Sequence, residues 1–262
     1  MNLEQVAPCP LALRYLHDGF ETVDAAAKVA RKEWEDNMGE EIPSTFRGSE
    51  SSLTGPWESL VLSECSPELL FLAGWMTQTF FLVDDKADRR SRKEAHEQLN
   101  MPLDHVFRIV KLKPEPATSM ERLFLPRLRQ MLDYDYEGAS LLFEGWRDWL
   151  QQADTRDENT LESLEAYLKF REMNVAFLPY SHLIIFVLRL NITREERQAI
   201  DHFRNLAARN FSLINDYWSW AKEIRESYEG VQRMMNAVTM RMRQVSEMES
   251  LQIVKDLAIE CE

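Results

Sequence analysis

The chain has 262 residues, enough for one large domain or two small ones with a sizeable buried core. Hydrophobic residues make up 45%, charged residues 29%, and the formal net charge is −13. That charge argues against a nucleic-acid partner, which needs a basic surface to displace counterions, and means that an anionic ligand would need a metal to invert the local charge. Glycine is scarce, at 8 residues, and good helix formers dominate, so the composition predicts an all-α fold. Cys9, Cys65 and Cys261 are too far apart for a disulfide framework or a zinc spacing and fit a reducing, cytoplasmic setting. The N-terminus lacks a basic stretch followed by an apolar one, so no signal peptide is expected. The most apolar window, 178–190, contains Ser181, His182 and Arg189, is too short to span a bilayer, and reads as a buried core helix.

In chain order, residues 1–20 look irregular and 22–38 have helical composition. Residues 40–68 hold Pro43, Gly48, Gly55, Pro56 and Pro67 and read as a loop or a set of short turns. Ser66-Pro67-Glu68 then marks a helix start, with a capping serine and proline at the first helical position. Residues 69–83 are apolar nearly all round, which predicts a central helix. Residues 89–118, charged and proline-containing, are expected to include a mobile connection. Residues 119–153 carry helical spacing, 154–159 a polar turn, and 160–190 read as one long helix kinked at Pro179. Thr193 and Glu196 form a capping box ahead of a helix to 226, Gly230 marks a break, and 231–260 is again helical. With no repeat and no linker, one domain of eight to ten helices is the economical reading.

Two clusters carry chemistry. Asp84, Asp85 and Asp88 end the apolar helix, with Asp84 and Asp88 on one face. Mg²⁺ takes hard oxygen ligands, usually one or two carboxylates with water and substrate phosphate. A solvated helix end would look the same, but the apolar run just before it favours the metal. The second cluster is Asn215, Ser219 and Glu223, spaced i, i+4 and i+8 on one helix face. An amide, a hydroxyl and a carboxylate could form a mixed Mg²⁺ site of low charge. Trp218, Trp220 and the run 211–214 imply that much of this helix is buried, so the polar face looks into a cavity.

The pairing of D-D-x-x-D with N-D-x-x-S-x-x-x-E, 131 residues apart from Asp84 to Asn215, resembles the class I terpene synthases. The resemblance implies an all-α, single-domain helical bundle around an apolar pocket. Asp84 would be the main ligand of the first metal site, assisted by Asp85 or Asp88, and Asn215, Ser219 and Glu223 would be the ligands of the other. Three Mg²⁺ ions would clamp a prenyl diphosphate between them. Arg171, 44 residues before Asn215, matches the family's diphosphate-sensing arginine, although Asn174 stands where an aspartate usually follows. Lys222, beside Glu223, would be a further diphosphate contact, and the catalytic set implied is Arg171, Asp84 and Asn215. Residues 57–69 resemble a stretch of the cyclase domains of fungal bifunctional terpene synthases, with Ser63 and Leu69 replacing the usual proline and arginine. The similarity runs from about Leu13 to the end. The family's final one or two helices, with a late Arg-Tyr pair, are expected to be absent.

The activity implied is Mg²⁺-dependent ionisation of a C20 or C25 diphosphate, with C15 less favoured, followed by cyclisation of the cation. Trp75, Phe80, Phe81, Phe177, Tyr180, Phe211 and Trp218 are candidate cation-facing rings, each more often simple core. Two alternatives stand beside it, a chain-elongating prenyl diphosphate synthase and a non-catalytic scaffold derived from a cyclase. The expected partner is the diphosphate substrate, with room for a homo-oligomer.

Overall fold

The computed structural model describes residues 19–42, 57–62, 64–153, 161–228 and 235–261. The expectations for 1–18, for the turn at 154–159 and for the break at Gly230 lie outside them. Among the described residues the regular structure is all helical, in the order α1 (Phe20–Met38), α2 (Trp57–Val61), α3 (Pro67–Asp88), α4 (Arg92–Ala95), α5 (Met101–Ile109), α6 (Ser119–Tyr134), α7 (Tyr136–Gln152), α8 (Leu164–Asn174), α9 (Phe177–Val187), α10 (Arg194–Tyr228), α11 (Ala237–Met242) and α12 (Glu247–Glu260). No helix there is long and apolar enough to cross a membrane.

The apolar run predicted to be central is central. Ser66 caps α3, with Pro67 in the first turn, and most of its side chains from Leu69 to Val83 are buried. α1 lies along it through Val23, Ala26, Ala27, Ala30 and Trp34, a helical stripe of mostly small residues. Gly74 permits the approach, because a Cβ there would sit 3.0 Å from Val23 Cγ1 and 3.3 Å from Ala26 Cβ. Glu33 ties the pair together by accepting from Trp75 Nε1 at 2.7 Å.

One expectation changes and three gain detail. Residues 89–118 are not simply a connection: Ser91 and Glu94 form a capping box that starts α4, a π turn over His96–Asn100 follows, and α5 continues from it. Pro102 cannot donate to the carbonyl four residues back, and the wider turn accommodates that gap. The segment 119–153 divides at Asp135, which leaves helical geometry and caps α7 by accepting from Gly138 N at 3.0 Å. The segment 160–190 is two helices. Ala176 adopts a left-handed conformation (φ 61°), so the break precedes Pro179 by three residues. The ring of Pro179 would clash with the Val175 carbonyl in a continuous helix, so the chain turns there and the proline falls in the first turn of α9. The 231–260 stretch gives α11 and α12, each begun by a capping side chain, Asn236 and Ser246.

Two apolar clusters result. The larger joins α1, α3, α5, α6, α7 and α9, with Phe80 stacked on Trp146 at 3.6 Å in its middle. The smaller joins α8, α10, α11 and α12 around Tyr167, Leu213 and Trp220. α9 packs against both α3 and α10, and so bridges the helices that carry the two polar motifs.

Candidate active site

The site is built around Arg171, near the C-terminal end of α8. Its side chain is 13% exposed and meets Asp216 of α10, with Nε and Nη2 at 3.3 and 3.2 Å from Oδ1. Nη2 also donates to Asn215 Oδ1 at 3.0 Å, and Nη1 donates to Asn174 Oδ1 at 2.7 Å. Burial pulls the guanidinium pKa down, but neighbouring Asp216, with Glu223 and Asp84, outweighs it and raises it. Arg171 therefore stays cationic in a field to which both motifs contribute. The substituted Asn174 keeps the link from this arginine to the helix break: its side chain accepts from Arg171, and its backbone carbonyl accepts from Trp149 Nε1 at 3.0 Å just before Ala176.

Asp216 is fully buried and accepts from four directions: both Arg171 nitrogens, the Tyr167 hydroxyl at 2.6 Å and the Ala237 backbone N–H at 2.9 Å. Burial pushes its carboxyl up, against the opposing pull of Arg171, Tyr167 and the Ala237 amide. Tyr167 is raised by burial and by the charge of Asp216, so it remains a neutral donor.

Asn215, Ser219 and Glu223 follow one another along α10, as their spacing requires. Asn215 is exposed and turns its carbonyl oxygen toward Arg171; an amide oxygen has a second lone pair for another donor or a cation. Glu223 accepts from Asn236 Nδ2 at 3.1 Å, and burial raises its carboxyl against the pull of Ser219 and Asn236. Ser219 Oγ is shielded from solvent beside Glu223 and meets no partner in hydrogen-bond geometry. A buried oxygen left open between an amide and a carboxylate is what a cation site needs before it fills.

Asp84, Asp85 and Asp88 lie in the last turn of α3. Asp84 is exposed and adds its charge to the field at Arg171. Asp85 is held back along its own helix by Arg89, at 3.1 Å, and Asp88 is half-buried. Lys222 is not drawn into the network; its side chain is 59% exposed and stands 3.7 Å from Glu226. No three His, Cys, Asp or Glu side chains converge among the described residues. The donor set is mixed, and an ion here would draw its remaining oxygens from water and from a bound anion.

The aromatic candidates separate. Trp75 and Phe80 are core, enclosed by Phe124, Phe107 and Trp146. Phe177, Phe211 and Tyr180 form one wall with Trp57: Phe177 to Phe211 is 5.7 Å, Phe211 to Trp57 is 5.9 Å, and Trp57 Nε1 donates to the Tyr180 hydroxyl at 2.8 Å. Phe81 and Trp218 are 41% and 47% exposed.

The model of the family described as terpene synthase family 2, C-terminal metal binding, matches residues 76–262, a span that holds both polar motifs and Arg171. The chain belongs to this family. It is 26% identical over 256 residues to a sesterterpene synthase of Neocamarosporium betae, covering 92% of this chain and 34% of that protein. It is 25% identical over 233 residues to a bifunctional terpene synthase of Fusarium proliferatum, covering 87% of this chain and 31% of that one. The chain therefore spans about a third of the length of the curated relatives it matches. Among solved structures, aristolochene synthase from Penicillium roqueforti superposes with a TM-score of 0.73 at 18% identity, over 97% of this chain and 85% of that one. Germacradien-4-ol synthase from Streptomyces citricolor gives 0.73 at 18%, over 98% and 84%. The fold is the all-α fold of the class I terpene synthases.

Asp216, Tyr167 and Asn236 are the residues that the sequence did not single out. Asp216 had a signal, an acidic residue set between the apolar pair Leu213-Ile214 and Tyr217-Trp218. Tyr167 and Asn236 had none, because their roles depend on which helices meet α10.

Proposed function

We propose that this chain is a Mg²⁺-dependent class I terpene cyclase, a lyase that ionises a linear prenyl diphosphate and cyclises the cation to a hydrocarbon or alcohol. The observation that carries this reading is Arg171, a buried guanidinium bonded to Asn215 and Asp216 and sharing a field with Asp84 and Glu223. A diphosphate needs such a cationic anchor with carboxylates near it that could bring metal ions. A C20 or C25 substrate is favoured over C15 because curated relatives include proteins named as sesterterpene synthases.

Three Mg²⁺ ions are proposed. Asp84, with Asp85 or Asp88, would serve one side, and Asn215, Ser219 and Glu223 the other. Their hard oxygens and the open Ser219 Oγ fit the ion. Bound there, the metal would supply Lewis-acid withdrawal of charge from the leaving diphosphate. Arg171 donates hydrogen bonds to the same anion, and its bond to Asn174 ties that contact to the break at Ala176. The rings of Phe177, Phe211 and Trp57 are proposed to face the cation, each contributing about 0.5–2 kcal/mol. Asp216 and Tyr167 hold Arg171 in place and do not touch substrate. A reducing, cytoplasmic setting is proposed from the wide spacing of the three cysteines along the sequence. The described helices are proposed to make one cyclase domain.

The test is substitution in both motifs. Asp84→Ala and Asn215→Ala are expected to lower Mg²⁺-dependent diphosphate release at least a hundredfold, with the helical circular dichroism of the parent. Wild-type rates in both variants would show that these residues are not the site.

A further inference from the structure

The start of α11 grips α10 at two points. Asn236, 1% exposed, is the N-cap residue of α11, and its Oδ1 accepts from Val238 N at 2.9 Å. Its amide nitrogen donates twice, to the Asp216 backbone carbonyl at 2.8 Å and to Glu223 Oε2 at 3.1 Å. A primary amide has two N–H donors, so both bonds form at once. The next residue, Ala237, donates its N–H to Asp216 Oδ2 at 2.9 Å. Asp216 and Glu223 are i and i+7 on α10, so they share a face and stand about 10 Å apart along the axis. One buried side chain therefore links the carboxylate of Glu223 to the backbone of the residue that holds Arg171.

Glu223 itself is half-buried, so an ion from solvent can reach it while Asn236 stays out of reach behind it. The bond to Asn236 fixes Oε2, and with it the plane of the carboxylate. Ser219 Oγ, one turn earlier on the same face, is shielded and meets no partner in hydrogen-bond geometry. Glu223 is thus committed through one oxygen and has the other to give. Mg²⁺ demands a near-ideal octahedron and suits carboxylates that give it a single oxygen, whereas the larger Ca²⁺ accepts both oxygens of one carboxylate in a looser shell.

We propose that Asn236 is a positioning residue that presents Glu223 to the metal through one oxygen and thereby biases the site toward Mg²⁺ over Ca²⁺. This rests on the cyclase reading, which makes Glu223 a metal ligand. Asn236 touches neither ion nor substrate and acts through Glu223 alone. Because the same amide is bonded to the Asp216 carbonyl, Glu223 and Arg171 take their positions from one rigid point, and the metal ligand stays in register with the diphosphate anchor. A hydrogen-bond partner behind a metal ligand fixes the ligand's orientation in this way.

The experiment needs no turnover. Melting temperatures of the wild type, Asn236→Ser and Asn236→Asp are followed with inorganic diphosphate and rising Mg²⁺ or Ca²⁺. Serine and aspartate both cap helices, so Val238 keeps its acceptor, but serine is too short to reach Glu223 and an aspartate carboxylate has no donor. The Mg²⁺ concentration that gives half of the stabilisation is expected to rise about tenfold in Asn236→Ser. Ca²⁺ can use both oxygens of the released Glu223 and loses less, so the ratio of the Ca²⁺ to the Mg²⁺ half-point is expected to fall roughly fivefold in both variants. The extra charge of Asn236→Asp draws both ions alike, which is why the ratio decides. An unchanged ratio in both variants would overturn the proposal, even if their metal-free melting temperatures fell, because a merely structural role moves stability and leaves ion preference alone. A wild-type half-point for Ca²⁺ no higher than that for Mg²⁺ would overturn it as well. If Asn236→Ser does not fold, Asn236→Asp decides, since it keeps the shape of the side chain. Failure of Mg²⁺ and diphosphate together to stabilise the wild type would instead overturn the metal assignment beneath it.

Discussion

Asp216 offers the sharpest test of how the site is held. Replacing it by asparagine keeps the shape and one acceptor oxygen but removes the charge. The Tyr167 hydroxyl at 2.6 Å, the Ala237 N–H at 2.9 Å and Arg171 at 3.2 and 3.3 Å then compete for that oxygen. A charge-assisted hydrogen bond contributes about 1.5–3 kcal/mol, and removing one partner of a buried ion pair costs about 3–5 kcal/mol. Asp216→Asn is therefore expected to destabilise by about 2–4 kcal/mol and Asp216→Ala by about 3–5 kcal/mol. At about 2–4 °C per kcal/mol for a chain of this size, the melting temperature should fall by roughly 4–16 °C for the asparagine variant. Urea unfolding followed by circular dichroism measures the difference. A change under about 0.5 kcal/mol for Asp216→Asn would refute the claim that this carboxylate anchors Arg171 and joins α8, α10 and α11.

Other expectations follow from the same geometry. Inorganic diphosphate with Mg²⁺ should stabilise the wild type, by about 2.7 kcal/mol at a hundredfold excess over its dissociation constant, and Asn215→Ala should lose that gain in a thermal-shift titration. Stability should also track Glu58, whose carboxyl is ordinarily near 4.5 and is raised by burial to about 7 in the fold. The native state binds the proton more tightly, so its contribution is full below pH 4.5 and is lost as pH rises toward 7. The displacement corresponds to about 3 kcal/mol, and Glu58→Gln should remove that slope; equal pH dependence in both proteins would contradict it. Ala176→Gly should be neutral to stabilising, by up to about 1 kcal/mol, because a left-handed conformation strains any residue with a Cβ. A loss above about 1 kcal/mol on chemical denaturation would mean that the break owes more to the alanine side chain than to backbone geometry.

The sequence was most informative where a local pattern and a packing demand coincide. The unbroken apolar run of α3 could be stable only at the centre, and the Ser66-Pro67 start and the Thr193-Glu196 box are short-range hydrogen-bond patterns that tertiary contacts do not override. Asn215, Ser219 and Glu223 share a face by helix geometry alone, and the structure sets them along one side of α10. The misread boundaries have a different cause. Nothing in Asp135 distinguishes a cap from an ordinary helical aspartate until α6 and α7 fold back on each other. Pro179 signalled a disturbance, but the strain it creates falls on the carbonyl four residues earlier, so the break appears at Ala176. The roles of Asp216, Tyr167 and Asn236 come from long-range pairs, and Glu58 drew no attention because a lone glutamate in a short helix is usually solvated. Lys222 stands beside Glu226 along its own helix, one residue and a rotation of about 100° from Glu223.

The measurement closest to the central claim is a product analysis of the purified chain with C15, C20 and C25 prenyl diphosphates, with and without Mg²⁺, by gas chromatography–mass spectrometry. The account predicts a cyclic hydrocarbon or alcohol from the C20 or C25 substrate, formed only with Mg²⁺. A longer linear diphosphate formed when isopentenyl diphosphate is added, or no turnover of any substrate under conditions where the helical fold is intact, would contradict it.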